Sequence, residues 1–161
     1  MAIGPSPHER TADAPKRRHA VAIRGLSRAL GIERARLARL LVATLEAERA
    51  PEGEIELALV SDRVMRRLNR EYRGIDGTTD VLSFSYVREP HAGDVLGEIF
   101  VSPAVAGRQA REAGCAVAEE VARLSVHGAL HVLGYDHDTP LARRRMLSRQ
   151  KRYVERYFRA N

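Results

Sequence analysis

HGALHVLGYDH, residues 127–137, places three histidines four and six residues apart, with a glycine between the second and the third. On a helix, His127 and His131 lie about 40° apart around the axis and one turn apart along it, so both imidazoles can reach one ion. Gly134 can take the left-handed conformation that ends a helix, and the returning chain then brings His137 to the same point. Three neutral imidazoles favour zinc, with the fourth position left for water. The stretch therefore predicts one Zn²⁺ bound by His127, His131 and His137.

The spacing matches the HExxHxxGxxH pattern of zinc peptidases, except that Gly128 replaces the glutamate that serves those enzymes as a base. Zinc lowers the pKa of a bound water toward ~7, so hydrolysis does not require that carboxylate. A site without it favours an anionic substrate such as a phosphodiester over a peptide. Asp136 and Asp138 flank the third histidine, and either an imidazole contact or a role in the turn is open to them.

The rest of the chain predicts a domain of class α+β, with a small mixed sheet of about four strands packed against helices. Residues 1–18 are rich in proline and polar residues and predict a disordered tail, which leaves 19–161 as a single domain. Alternating or continuous apolar runs predict strands at 19–24, 54–60, 80–86 and 96–102. Helical periodicity and capping residues predict helices at 32–48, 62–72, 103–113, 117–134 and from 140 nearly to the C-terminus.

The composition indicates a globular protein with an anionic partner. The chain of 161 residues has a formal net charge of +6, a pI of about 10.1 and 44% hydrophobic residues. Arginine outnumbers lysine by 25 to two, which a GC-rich genome would also produce, so charge alone leaves nucleic-acid binding open. No run approaches the ~20 apolar residues of a membrane span, and the single Cys115 excludes an internal disulfide. These features predict a cytoplasmic protein without membrane contact.

Two basic segments suggest where an RNA would lie. The C-terminal segment 141–161 has Leu147, Val154 and Phe158 as its expected inward stripe, which leaves its many arginines outward. The second run lies on the helix that leads into RGIDGTT and ends at Arg73. If both helices border the zinc cleft, they can follow a phosphate backbone, although a solvated charged face is the alternative. Arg73 would bind phosphate bidentately and stabilise the charge of the transition state.

HGALHVLGYDH, together with LNREYRGIDGTTDVLSF (68–84) and LGEIFVS (96–102), resembles the YbeY family of bacterial rRNA maturation factors. The resemblance covers roughly residues 54–158, and the three blocks agree in order and spacing. It implies metal ligation by His127, His131 and His137, and a functional role for Arg73. It further implies a metal-dependent, single-strand-specific endoribonuclease that processes the 3′ end of small-subunit (16S) rRNA and acts in ribosome quality control. Implied partners are rRNA precursors, small-subunit ribosomal proteins and the GTPase Era.

Three positions depart from the family pattern, and two other functions remain open. Thr78 and Ser85 stand where the family often has proline, and Glu98 stands where it usually has aspartate. One alternative is a metallopeptidase that uses Glu98 as its base. The other is a non-catalytic ribosome-assembly factor in which zinc is structural.

Overall fold

The computed structural model describes residues 18–25, 31–89 and 93–159. The predicted tail, residues 1–18, lies outside these ranges except for Arg18, whose side chain pairs with Glu52 at 3.3 Å. Within the described ranges, no helix is long and apolar enough to cross a bilayer.

The described residues form four strands and five helices. The strands are β1 (His19–Gly25), β2 (Gly53–Leu59), β3 (Val81–Ser85) and β4 (Val95–Val101). The helices are α1 (Arg34–Ala47), α2 (Asp62–Arg73), α3 (Pro103–Ala113), α4 (Val117–Val132) and α5 (Pro140–Val154), and a π-helical turn (Glu155–Arg159) follows α5. The α+β class and the four-stranded sheet predicted from the sequence are confirmed.

Polar side chains set the start of three helices. The hydroxyl oxygens of Ser61, Ser102 and Thr139 accept hydrogen bonds from the backbone N–H groups at the starts of α2, α3 and α5. These three helices begin at the predicted residues, whereas α1, which has no side-chain cap, begins two residues later than predicted.

The sheet is mixed, with strand order β1-β2-β4-β3. β1, β2 and β4 are parallel, and β3 pairs antiparallel with β4 as an edge strand. Helices α1, α4 and α5 contribute to one buried core with the facing side chains of the strands. The largest fully buried members are Leu37, Leu40, Leu41, Leu45, Ile55, Leu57, Leu59, Ile99, Leu130 and Met146.

The inward stripe of α5 and of the turn that follows it agrees with the prediction at two of three positions. Val154 and Phe158 are buried, whereas Leu147 is 41% exposed and Met146, the residue before it, is buried in its place. Gln150 and Tyr153 complete the buried side of the helix. Gln150 is directed toward α4, where it contacts His127.

Candidate metal centre

The three histidines predicted as ligands come together at the C-terminal end of α4. One nitrogen from each of His127, His131 and His137 lies within 4.8 Å of the others, and the Nε2 atoms of His127 and His131 are 3.1 Å apart. Two nitrogens bound to one tetrahedral zinc at ~2.0–2.1 Å would be separated by about 3.3 Å. The observed spacing therefore fits a single ion. Among the described residues, no carboxylate or cysteine joins this group.

A glutamine of α5 sets the proton positions on the first ligand. The Oε1 atom of Gln150 lies 2.8 Å from Nδ1 of His127, and Gln150 is only 3% exposed. An amide oxygen can only accept, so Nδ1 carries the hydrogen, and Nε2 of the neutral ring keeps the lone pair that a metal requires. Partners of this kind orient metal-binding imidazoles. The prediction from sequence missed Gln150.

Both helical histidines are held in the neutral form that binds metal. Burial lowers the pKa of His127, and the hydrogen bond to Gln150 opposes that effect only in part. Burial also lowers the pKa of His131, and the charges of His127 and His137 lower it further. Because a proton and a metal compete for the same lone pair, these shifts favour metal binding at neutral pH.

The third histidine lies on the loop after α4 and is exposed. Gly134 has a φ of 103°, as its predicted role in ending the helix requires. Its N–H donates to the carbonyl of His131 at 3.0 Å, and the N–H of Tyr135 donates to that of Leu130 at 3.0 Å. This reversal directs the chain back toward α4 and brings His137 to the other two rings, with centroid distances of 5.0 Å to His131 and 6.0 Å to His127.

Of the two aspartates beside His137, Asp136 has a role in the turn. Its Oδ1 atom accepts a hydrogen bond from the backbone N–H of Asp138 at 3.2 Å. Within the described ranges, neither carboxylate makes a hydrogen bond to an imidazole. The contact of Asp136 favours the turn, and a role for the Asp138 side chain stays a prediction.

Tyr135, in the middle of the loop, is tied to a distant carboxylate. Its hydroxyl donates to Oε2 of Glu48 at 2.7 Å, and the other oxygen of Glu48 accepts from Arg149 at 2.9 Å and from the hydroxyl of Tyr153. The side chain of Glu48 is only 7% exposed. Burial raises the pKa of Glu48, but the three donors together lower it below its usual value, so the group is a carboxylate at neutral pH. Glu48 is the second residue of the site that the sequence did not reveal.

Position 128 has room only for a glycine, because α4 packs directly on β4. A Cβ atom at position 128 would come within 2.6 Å of the Cγ2 atom of Ile99, and one at Gly97 would come within 2.6 Å of both methyl groups of Val132. A glycine on the helix thus faces a large strand residue, and one turn later a glycine on the strand faces a large helix residue. A glutamate at position 128 would be directed into the sheet rather than toward the ion.

Glu98 cannot serve as the base in place of the glutamate that is absent at position 128. Its neighbours Gly97 and Ile99 face α4, so the alternation of a strand places Glu98 on the opposite face of the sheet. There its Oε2 atom accepts a hydrogen bond from the hydroxyl of Tyr86 at 2.7 Å, and this bond raises the pKa of Tyr86 to about 12. A peptidase that uses Glu98 as the base for the three histidines is therefore not compatible with the structure.

Arg73 is the last residue of α2, and its side chain is exposed. Tyr72 packs edge-to-face on Phe84 with centroids 5.0 Å apart, whereas Ser85, the next residue of β3, donates to the carbonyl of Val132 in α4 at 2.7 Å. Helix α2 therefore contacts the face of β3 opposite to α4. Helix α5 borders the histidines through Gln150, as expected. The expectation that α2 also borders the cleft stays a prediction. A catalytic role for Arg73 stays a prediction.

Comparisons with known proteins agree with this site. A family model described as Endoribonuclease YbeY matches residues 28–158. The chain belongs to the YbeY family. Relatives named Endoribonuclease YbeY include one from Moorella thermoacetica, 45% identical, with 71% of this chain and 80% of the relative covered. Another, from Anaeromyxobacter, is 44% identical, and the match covers 71% of this chain but only 60% of that relative.

A solved structure also resembles the chain. The solution structure of TM1509 from Thermotoga maritima has a TM-score of 0.56 and 32% sequence identity, with 84% of this chain and 87% of that chain covered. This likeness supports the arrangement of sheet and helices around the histidines.

Proposed function

We propose that the protein is a zinc-dependent, single-strand-specific endoribonuclease. It acts in rRNA maturation, including processing of the 16S rRNA 3′ end, and in ribosome quality control in the cytoplasm. The observation that supports this most is the convergence of three imidazoles in a chain of the YbeY family, without a carboxylate base among the described residues around them. Such a centre suits an anionic substrate, because its cleavage depends more on neutralisation of negative charge than on a base from the protein.

His127, His131 and His137 would hold the zinc, since three imidazoles with open geometry are a known ligand set for this ion. When bound, zinc supplies positive charge for the phosphate and lowers the pKa of a bound water. The side chains of the protein would position the ligands and bind the substrate. Gln150 orients His127, the tight contact of Gly128 with Ile99 fixes the helix, and Arg73 is proposed to bind the phosphate as negative charge develops.

The RNA is proposed to approach along α5, which borders the centre through Gln150. Three successive exposed arginines, 143–145, lie in the first half of this helix, and further basic residues follow toward its end. Phosphate contacts of this type give salt-dependent binding with little sequence preference. Specificity would then come from the ribosomal context, with small-subunit proteins and the GTPase Era as proposed partners.

The decisive experiment joins cleavage in vitro with rescue in cells. Nuclease-free protein loaded with zinc should cleave single-stranded rRNA precursor, and a chelator or His131→Ala should abolish cleavage. In cells depleted of the protein, the wild type should restore mature 16S 3′ ends, and His131→Ala and Arg73→Ala should not. Intact precursor with loaded wild type, together with rescue by both variants, would refute the nuclease.

Two further outcomes refine the proposal. Product ends that carry a 2′,3′-cyclic phosphate would show that the RNA 2′-OH, rather than water, attacks the phosphorus. If His127→Ala loses both fold stability and ribosome binding and no chelator-sensitive cleavage is found, the zinc is structural and the protein is an assembly factor.

A further inference from the structure

We propose that Glu48 is a positioning residue for the third metal ligand, because it holds Tyr135 and thereby fixes the loop that presents His137. This inference rests on the metal centre proposed above, although it does not depend on the reaction performed there. Glu48 lies at the end of α1, 87 residues before Tyr135 in the chain, and touches none of the three histidines itself.

The Glu48 carboxylate is itself held from two sides. Its Oε1 atom accepts from Arg149 at 2.9 Å and from the hydroxyl of Tyr153, both on α5, and its Oε2 atom is left to Tyr135 at 2.7 Å. With the side chain 7% exposed, these bonds are largely shielded from water. The carboxylate therefore links three segments of the chain: α1, α5 and the loop that carries His137.

Apart from the bond to Glu48, the loop is tied to the body of the protein by packing of Leu133 and Tyr135 against the core and by the Arg149 guanidinium, 5.4 Å from the centroid of the Tyr135 ring. The backbone bonds of Gly134 and Tyr135 return to the end of α4, and the bond between Asp136 and Asp138 is internal to the turn. Among the described residues, the hydroxyl of Tyr135 makes the only side-chain hydrogen bond from 133–138 to another element. His137 is exposed, so packing does not hold its ring in place.

The expected effect of losing Glu48 is specific to one ligand. His127 and His131 lie on a helix whose core side is fully packed, and Gln150 holds the first of them. Removal of a residue that orients a metal ligand lowers metal affinity by about 10–100-fold. If Glu48 acts through His137, its removal should cost affinity only while His137 is present.

A double-mutant cycle tests this dependence. Zinc affinity is measured by competition with a chelator for the wild type, Glu48→Ala, His137→Ala and the double variant, with circular dichroism as the check on folding. We expect Glu48→Ala to weaken zinc binding about 10–100-fold in the wild-type background and to have no further effect in His137→Ala. Glu46→Ala is the matched control, since Glu46 is exposed on the same helix end and should leave the affinity unchanged.

Tyr135→Phe gives a second test that keeps the carboxylate and its α5 partners. It removes only the hydroxyl that reaches Glu48, so it should reproduce most of the loss in zinc affinity even if Glu48→Ala does not fold. The visible spectrum of the Co²⁺-loaded protein should show the same altered ligand geometry in Tyr135→Phe as in His137→Ala.

Three results would overturn the inference: equal losses from Glu48→Ala with and without His137, wild-type zinc affinity in Tyr135→Phe, or a wild type that binds no zinc. The last would also remove the proposed metal centre. A wild type that binds zinc as expected but cleaves no RNA would instead reject the nuclease and leave the role of Glu48 intact.

Discussion

The metal centre is built from two regions that are held in different ways. His127 and His131 lie on α4, whose core side is packed against the sheet and α5, and burial lowers the pKa of both rings. His137 lies on an exposed loop that is fixed by its backbone turn and by the bond from Tyr135 to Glu48. His127 and His131 therefore form a rigid pair held by helix packing, whereas the position of His137 depends on the bonds of its loop.

The largest expected effect comes from the rigid pair. We predict that His127→Ala reduces zinc binding below detection at micromolar metal, whereas His137→Ala keeps a measurable, weaker affinity from the two helical histidines. The reason is that preorganised ligands lose little entropy on binding, and a loop ligand must be ordered first. Isothermal titration with zinc measures both affinities. Equal losses in the two variants would contradict the proposed difference between helix and loop.

The next effect concerns the packing that holds the rigid pair in place. We predict that Gly128→Ala destabilises the protein by about 1–3 kcal/mol, because the added Cβ would lie 2.6 Å from Cγ2 of Ile99 and overpack the contact between helix and sheet. Urea denaturation measures the change. In a double-mutant cycle with Ile99→Ala, which removes the Cγ2 atom itself, the cost of Gly128→Ala should become smaller.

Gly107→Ala is the matched control for that experiment. Gly107 is also within a helix, but a Cβ there would meet nothing closer than 3.9 Å. Replacement should be neutral or should stabilise the protein by up to about 1 kcal/mol, as helix propensity predicts. If Gly128→Ala behaved like this control, the close approach of α4 to β4 would not be what excludes a side chain at position 128.

The two regions also differ in how much the sequence reveals. The helical pair and the glycine that ends the helix follow from spacing alone, because a helix repeats every 3.6 residues and only glycine adopts the required turn without strain. His137 could be placed at the same ion for the same reason. The order and class of the strands and helices follow from local patterns, and the structure differs from the predicted bounds by at most two residues.

The residues around the three histidines could not be predicted from local sequence patterns. Gln150 is 23 residues from His127 and Glu48 is 87 residues from Tyr135, so their contacts depend on how the helices pack. Gln150 lies four residues before Val154, which was predicted to face inward, and a polar residue at this helical spacing was the available signal. No equivalent signal for Glu48 is present in the local sequence pattern. Strand alternation could have placed Glu98 away from the histidines once β4 was assigned.

A smaller effect is expected from loss of the hydrogen bond that orients His127, which can be tested separately from the packing of α4. We predict that Gln150→Met, which keeps the volume but removes the acceptor, lowers zinc affinity about tenfold, because His127 loses the partner that holds its Nδ1–H. Chelator competition measures the change, and Ser148→Ala, on the exposed side of the same helix, serves as the control. Unchanged affinity in Gln150→Met would mean that packing alone orients His127.

The smallest expected effect concerns Glu48, which links α1 to the loop that carries His137. It is tested through the pH dependence of protein stability. Three donors, Tyr153, Tyr135 and Arg149, oppose the cost of burial and lower the pKa of Glu48 in the folded protein. A carboxylate with a lowered folded-state pKa contributes stability above its unfolded value, and that stability is lost as the pH falls through the folded value. We therefore predict that Glu48→Gln costs about 1 kcal/mol at neutral pH and that the difference from the wild type shrinks under acidic conditions.

Urea denaturation at neutral pH and at a series of lower values measures this difference. The control is Glu46→Gln, at an exposed position near the end of the same helix, which should stay close to the wild type in stability at neutral pH. A penalty for Glu48→Gln that stays constant below the unfolded carboxyl pKa of about 4.3 would show that the charge of Glu48 does not stabilise the fold. The hydroxyl of Tyr135 would then be held by hydrogen-bond geometry alone, and the loop would keep its position in acid for as long as the helices remain folded.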